Sequence, residues 1–92
     1  MPNNLRKYRE ALGLRQRDVS TILGFSSEDR ISHWEKGKAV PSLINLFRLS
    51  SLYKTTPREL YSDLVRMIDK DILRNEESYK TLKGFTNPEI VA

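Results

Sequence analysis

The stretch from Gln16 to Gly37, QRDVSTILGFSSEDRISHWEKG, predicts two short helices joined by a tight turn. Apolar residues recur at helical spacing on either side of one glycine: Val19, Ile22 and Leu23 before it, Ile31 and Trp34 after it. Gly24 adopts positive φ at no steric cost, which is how many helices end. The stretch therefore predicts a helix, a corner and a second helix.

The start of the second helix has two candidate caps. Ser26 as the cap makes Ser26-x-x-Asp29 resemble a capping box, whereas Ser27 as the cap starts the helix one residue later and puts Arg30 at the third position. The residue types favour neither serine over the other. In the helix before Gly24, Asp18 places negative charge near the amide-rich N-terminal end, where the helix dipole stabilises it.

Several spaced elements together resemble the lambda-repressor and Cro type of helix-turn-helix domain, also called the XRE family. They are Gln16-x-Asp18-Val19-Ser20 with Gly24, Ile31-Ser32-x-Trp34-Glu35-x-Gly37, Pro41-Ser42-Leu43 and Thr56-x-x-Glu59-Leu60. The resemblance runs from about Leu5 to Tyr61. It implies an all-α, five-helix domain whose second motif helix lies in the DNA major groove.

Three positions depart from the family pattern. Arg15 stands where a capping Ser or Thr is usual, and Ser20 stands where Ala is usual. One extra residue lies between Gly24 and Ile31. That residue either lengthens the turn or extends the recognition helix.

Helices are also predicted on both sides of the motif. Asn3 or Asn4 caps the first, which ends at Gly13, and Pro41 with Ser42 begins the fourth. Their apolar faces are Leu5, Tyr8 and Leu12 in the first, and Leu43, Leu46, Phe47, Leu49, Ser50 and Tyr53 in the fourth. A fifth helix begins with Thr56 as its cap, Pro57 at the first helical position and Glu59 three residues after the cap.

The resemblance implies a structural role for two further residues. In the family, an arginine in the first helix pairs, largely buried, with a glutamate of the recognition helix. Arg9 and Glu35 match those two positions. The resemblance therefore implies an ion pair that ties the first helix to the recognition helix.

An addition follows the five-helix domain. Apolar residues continue at spacings of three and four: Tyr61, Leu64, Val65, Ile68, Ile72 and Leu73. The fifth helix either runs on or restarts after Ser62, and helix extends into the mid-70s. We therefore divide the chain into a DNA-binding domain (1–62), a helical extension with a possible role in dimerisation (63–83) and a flexible tail (84–92). The stripe needs a cover, either its own domain or another subunit.

The excess positive charge lies in the predicted DNA-binding domain. Residues 1–62 hold 11 Lys and Arg against 6 Asp and Glu, whereas residues 63–92 hold 5 against 6. A basic domain suits a polyanionic partner. The chain has no cysteine and no apolar run near the roughly 20 residues of a membrane helix, so we expect a cytoplasmic protein that does not enter the membrane.

Candidate DNA contacts fall into two groups. Residues predicted to face base edges are Glu28, Asp29, Arg30, Ser32 and His33. Residues predicted to contact phosphates are Arg15, Gln16, Arg17, Lys36, Lys38 and Arg48. Arg30 and His33 are the favoured readers, because an acid at the DNA surface repels phosphate and serves equally well as a helix cap or dipole partner. Trp34 is assigned to the core.

The predicted function is that of a dimeric, sequence-specific transcriptional regulator. It represses by reading a palindromic operator in double-stranded DNA with the helix that starts near Ser27. Alternatives are an antitoxin whose tail binds a toxin, or a helix-turn-helix fold that binds only another protein. The sequence holds no nucleophile–base pair, glycine-rich phosphate loop or metal cluster, so we predict no enzyme, no cofactor and no bound metal.

Overall fold

The computed structural model describes residues 1–84 and shows this part of the chain to be all-α, as the sequence predicts. The helices follow one another as α1 (Leu5–Ala11), α2 (Gln16–Leu23), α3 (Asp29–Glu35), α4 (Leu43–Tyr53), α5 (Pro57–Leu60) and α6 (Ser62–Lys83). Helices α1 to α5 pack together, and α6 leaves them. Apart from Gly84, the predicted flexible tail lies outside the described residues.

One apolar core joins α1 to α5 and the start of α6. It consists of Leu5, Val19, Leu23, Ile31, Trp34, Leu49, Tyr53, Leu60 and Tyr61. Each large apolar side chain buried in this way stabilises the fold by about 1.5–3 kcal/mol. The burial of Ile31 and Trp34 confirms that both belong to the core.

Four apolar residues that the sequence assigned to buried faces are exposed instead: Leu12, Ile22, Leu43 and Phe47. The helical period explains the errors. Val19 and Leu23 lie one turn apart and face the core, whereas Ile22 is rotated by about 100° from Leu23 and faces solvent. Because these helices are short and have few neighbours, only part of each apolar face is buried.

Side chains at the helix ends account for several boundaries. Asn4 precedes α1, but the capping oxygen comes from Asn3, whose Oδ1 accepts from the Leu5 amide at 3.1 Å. Thr56 Oγ1 accepts from the Glu59 amide at 3.2 Å, which confirms the predicted start of α5. Glycine ends α1 and α2 as predicted: Gly13 and Gly24 have φ values of 71° and 80°.

Helix α6 restarts at Ser62 after a break at Tyr61 and continues to Lys83, beyond the predicted mid-70s. Asn4 fixes its first turn, because its side-chain amide donates to the Ser62 hydroxyl at 2.9 Å and to the Glu59 carbonyl at 2.8 Å. Leu64 packs on the core.

Beyond its first turn, α6 runs through solvent. Every residue from Arg66 to Tyr79 is exposed, including Ile68, Ile72 and Leu73 of the predicted stripe. Twenty-two residues make a helix about 33 Å long. Within the described chain, most of the stripe therefore has no cover. No helix of residues 1–84 is both long enough and apolar enough to cross a membrane.

Candidate nucleic-acid interface

A five-residue turn, 24–28, sets the arrangement of α2 and α3. The Ser20 hydroxyl donates to the Ser27 carbonyl at 2.8 Å, and the Phe25 amide donates to the Ser20 carbonyl at 2.9 Å. Ser20 is buried, so it fixes the turn from inside. Since α3 begins only at Asp29, the extra residue lengthens the turn and does not extend the helix.

Neither predicted serine cap occupies the N-cap of α3. Glu28 holds that position, and its side chain makes no capping bond. Ser27 Oγ accepts from the Asp29 amide at a long 3.4 Å, and the capping box proposed for Ser26 and Asp29 does not form. The helix that was expected near Ser27 thus starts two residues later, because Ser27 is held in the turn through its own carbonyl.

Helix α3 turns a polar face outward. Ile31 and Trp34 fill the core, while Asp29, Arg30 and His33 are exposed. Glu28 and Ser32, the other two predicted base contacts, are half-buried at the edge of this face. All five residues thus lie on α3 or at its N-cap. Their contact with bases stays a prediction.

An ion pair behind α3 fastens it to the rest of the domain. Arg9 donates from Nε to Glu35 Oε2 at 2.6 Å and from Nη2 to Oε1 at 3.0 Å. Arg9 also donates to the Leu14 carbonyl at 2.8 Å. The hydrogen bonds to Glu35 raise the pKa of the Arg9 guanidinium despite its burial. The pair implied by the resemblance is therefore confirmed.

Gln16 joins this network from the first turn of α2. Its Nε2 donates to Glu35 Oε1 at 3.1 Å, so the side-chain amide points toward the ion pair. Arg9, Arg15, Gln16, Arg17 and Glu28 line one shallow cleft near the start of α2.

The two exposed arginines of this cleft, Arg15 and Arg17, have acidic neighbours. Asp18 accepts from the Arg15 amide at 2.7 Å and from the Arg15 guanidinium at 3.1 and 3.2 Å. These bonds lower the pKa of the Asp18 carboxyl. Arg17 Nε lies 3.7 Å from Glu28 Oε2, an exposed pair that links the first turns of the two helices.

The remaining predicted phosphate contacts differ in their surroundings. Lys36 and Lys38 are exposed on the loop after α3, and neither ammonium pairs with another residue in the part of the chain that the structure describes. Arg48 is already engaged: it donates to the Leu23 carbonyl at 2.6 Å and to Asn45 Oδ1 at 3.0 Å. Arg48 therefore caps the end of α2 and has fewer donors to offer.

Sequence reasoning missed Phe25, the residue after Gly24. Its ring meets Trp34 edge-on, with the centroids 5.9 Å apart and the planes at 74°. The Arg30 guanidinium lies 4.6 Å above the ring centroid, and that of Arg48 lies 5.9 Å from it. An aromatic residue in a turn otherwise made of Gly, Ser and Glu was the available signal.

A second feature that the sequence did not reveal is an apolar groove between α2 and α4. Its exposed members are Ile22, Leu43, Ile44 and Phe47. Exposed apolar side chains that adjoin one another in a groove are a candidate interaction surface. The groove borders the motif but shares none of the predicted base contacts.

Comparison with known proteins adds one match. A family model described as helix-turn-helix matches residues 5–60, more than half of the chain. This range covers α1 to α5 and stops before α6. No curated protein and no solved structure matches the chain.

Proposed function

The chain belongs to the helix-turn-helix family of the lambda-repressor and Cro type, a family of DNA-binding regulators and not of enzymes, and from this premise we propose that it is a dimeric transcriptional repressor. It reads a palindromic operator in double-stranded DNA through the outward face of α3. It works in the cytoplasm and outside the membrane.

The observation that carries the proposal is a difference among the basic side chains around α3: within residues 1–84, one is paired inside the protein and four are not. Arg9 is bound internally to Glu35, whereas the side chains of Arg30, His33, Lys36 and Lys38 make no hydrogen bond or ion pair with any described residue. Arginine can donate two bonds to guanine, and lysine attracts phosphate as a point charge. A surface that binds a polyanion needs exposed donors of this kind, which have no partner within the described protein.

The acids at the start of α3 fit this proposal as structural groups. Glu28 lies within 3.7 Å of Arg17, and Asp29 stands in the first turn, where the helix dipole favours a carboxylate. Their charges oppose phosphate approach only locally. The readout is therefore assigned first to Arg30 and His33, with Ser32 beside them and the two acids as secondary contacts to cytosine amines.

Phosphate contacts come from both sides of α3. Arg15, Gln16 and Arg17 contribute at the first turn of α2, the last two through their position at an exposed helix start. Lys36 and Lys38 contribute from the loop on the other side. Arg48 contributes least, because Leu23 and Asn45 already accept from it.

A dimer is proposed because one domain contacts only a short stretch of DNA. A single motif reads only a few base pairs, so selectivity calls for two copies on half-sites about one helical turn apart. The extension at 63–83 supplies the contact, because Val65, Ile68 and Ile72 lie on one face of α6 at steps of three and four. Of these three, Val65 alone is partly covered by the described residues 1–84.

A second candidate function is supported by the same uncovered surfaces. If α6 or the groove of Ile22, Ile44 and Phe47 binds a different protein, the chain serves as the antitoxin of a toxin–antitoxin pair or as a protein-binding adaptor. A toxin-like reading frame beside the coding sequence would favour the antitoxin.

Selection from a randomised double-stranded DNA pool, followed by sequencing, tests the main proposal. We expect a symmetric motif with two half-sites, and light scattering on the bound fraction should give two chains per site. A motif with one half-site would contradict the dimer. Absence of any enriched sequence would contradict DNA readout and favour the protein-binding alternative.

A further inference from the structure

The turn between α2 and α3 places an aromatic ring directly against a predicted base reader. The centre of the Arg30 guanidinium is 4.6 Å from the centroid of the Phe25 ring. This distance is within the range of an attractive cation–π contact, and a flat guanidinium can stack on a ring while its N–H groups point outward in its own plane. The Arg30 guanidinium thus lies over the Phe25 ring, and no described residue accepts a hydrogen bond from its N–H groups.

Those donors have no other use in the described structure. No carboxylate, carbonyl or hydroxyl among residues 1–84 accepts from Arg30, although Arg15 and Arg48 nearby have acceptors and Arg17 forms an ion pair with Glu28. Arg30 thus contacts the Phe25 ring, while its N–H groups have no acceptor among residues 1–84. A structural arginine would be expected to show the reverse, with its N–H groups committed to the protein.

The ring itself is well fixed. Phe25 is half-buried, and its edge-on contact with Trp34 connects it to the core. Its backbone amide donates to the Ser20 carbonyl, which belongs to α2. Arg48 lies near the same ring and is itself bound to the Leu23 carbonyl at 2.6 Å. Three helices therefore determine where the ring stands.

We propose that Phe25 is a positioning residue for DNA readout, which holds the Arg30 guanidinium in the orientation that donates two hydrogen bonds to a guanine. The inference rests on the proposed function, because it assumes that Arg30 reads a base. A long side chain loses rotamer freedom when it binds, and stacking beforehand reduces that loss. Phe25 thereby strengthens selectivity at the base that Arg30 contacts without touching DNA.

The test compares the full chain with Phe25→Leu, Phe25→Met, Phe25→Tyr and Arg30→Ala. Affinity is measured for the best selected site and for all its single-base variants. An exposed cation–π contact is worth about 0.5–1 kcal/mol, so Phe25→Leu and Phe25→Met should reduce discrimination at the Arg30-dependent position by about two- to fivefold. Phe25→Tyr keeps the ring and should retain it.

Two comparisons separate positioning from a general loss of structure. In an Arg30→Ala background, Phe25→Leu should change no base preference, because the group it positions is gone. Tyr8→Leu is the matched control: Tyr8 also carries a cation over its ring, Lys7 at 5.7 Å, but lies on α1, away from α3's outward face. Tyr8→Leu should lower the melting temperature and leave the base profile unchanged.

NMR of the unsubstituted chain gives a result that does not depend on a variant folding. A guanidinium stacked on Phe25 should show upfield ring-current shifts at the Arg30 side-chain protons in the absence of DNA. If those shifts are missing, the inference fails. It also fails if Phe25→Leu and Phe25→Met keep full discrimination, or if Arg30→Ala does. The proposed function would fail in a different way, by the unsubstituted chain showing no preferred DNA sequence at all.

Discussion

Arg9 and Glu35 contact each other through two hydrogen bonds of 2.6 and 3.0 Å, although 26 positions separate them in the sequence. The exposed fractions of the two side chains are only 10% and 5%. Gln16 adds a third donor to the same carboxylate. The ion pair thus joins α1, the first turn of α2 and the last turn of α3 behind the proposed DNA surface.

We expect Glu35→Ala to lower the free energy of unfolding by roughly 3–5 kcal/mol, because it leaves the buried Arg9 guanidinium without its counter-charge. Chemical denaturation of Glu35→Ala, Arg9→Ala and the double variant measures the coupling between the two residues. The double variant should be less destabilised than the sum of the single ones.

The exposed pair of Arg6 and Glu10 on α1 provides a matched control. Its charged atoms are 3.3 Å apart, but its side chains are 72% and 55% exposed. Water screens such a pair, so Glu10→Ala should cost at most about 1 kcal/mol. Equal effects of Glu10→Ala and Glu35→Ala would contradict a special role for burial.

The Arg9–Glu35 pair also shows what the sequence can predict about this fold. Residues that match a family pattern at several places imply contacts that periodicity cannot reveal, and the pair is such a contact. Local chemistry was equally reliable where one side chain decides the outcome, as Thr56 does at the start of α5. The start of α3 was predicted wrongly because Ser27 is held by Ser20, a residue on another helix.

The exposure of individual side chains was harder to predict from the sequence than the positions of the helices. An apolar stripe shows which face of a helix can be buried, but not which part of that face meets a neighbour. Ile22 and Phe47 belong to such stripes and lie exposed along the groove between α2 and α4. The stacking of Arg30 on Phe25 was missed for a related reason, since it depends on the path of the turn.

Lys38 should contribute to binding on all DNA sequences alike. Its ammonium is exposed on the loop after α3, and a contact with phosphate there would release counterions. We expect Lys38→Ala to weaken binding to operator and random DNA equally and to reduce the slope of log affinity against log salt by about one. Lys70→Ala on α6 is the control and should leave the slope as it is. A loss confined to the operator would make Lys38 a base contact.

The carboxyl of Asp18 should make the stability of α2 depend on pH in acid. Hydrogen bonds from Arg15 lower its pKa below the ordinary 3.8, first those from the side chain and then that from the backbone amide. A lowered pKa in the folded state means stabilisation that is complete above the unfolded value and is lost as pH falls through the folded value. The Asp18→Asn variant should lack this contribution at every pH.

An NMR titration of the Asp18 carboxyl carbon measures the shift directly. We expect its midpoint below 3.8 in the full chain. Arg15→Ala removes the side-chain donors but keeps the backbone one, so the midpoint should rise only part of the way to the ordinary value. A midpoint at or above the ordinary value in the unsubstituted chain would mean that Asp18 does not hold the start of α2.

The uncovered stripe of α6 gives a direct test of the proposed dimer. Ile68 and Ile72 are 46% and 52% exposed in the single chain, so replacing both with Ser should change the stability of the isolated domain by little. If the stripe joins two copies, the same change removes four apolar side chains from the interface. Dimer affinity should then fall by at least about 3 kcal/mol, or roughly 100-fold.

Lys70→Ser with Glu77→Ser is the matched control, because it makes the same kind of change on the opposite side of the same helix. Light scattering across a dilution series should show dissociation of the Ile68→Ser, Ile72→Ser chain at concentrations where the control remains dimeric. Because two linked half-site contacts bind through a high effective concentration, the isoleucine variant should also lose affinity for a two-half-site DNA far more than for a single half-site. A chain that stays dimeric after losing both isoleucines would place the contact elsewhere, and the exposed groove between α2 and α4 would be the next surface to test. A drop in melting temperature at unchanged mass would instead mean that the stripe packs on its own domain in solution.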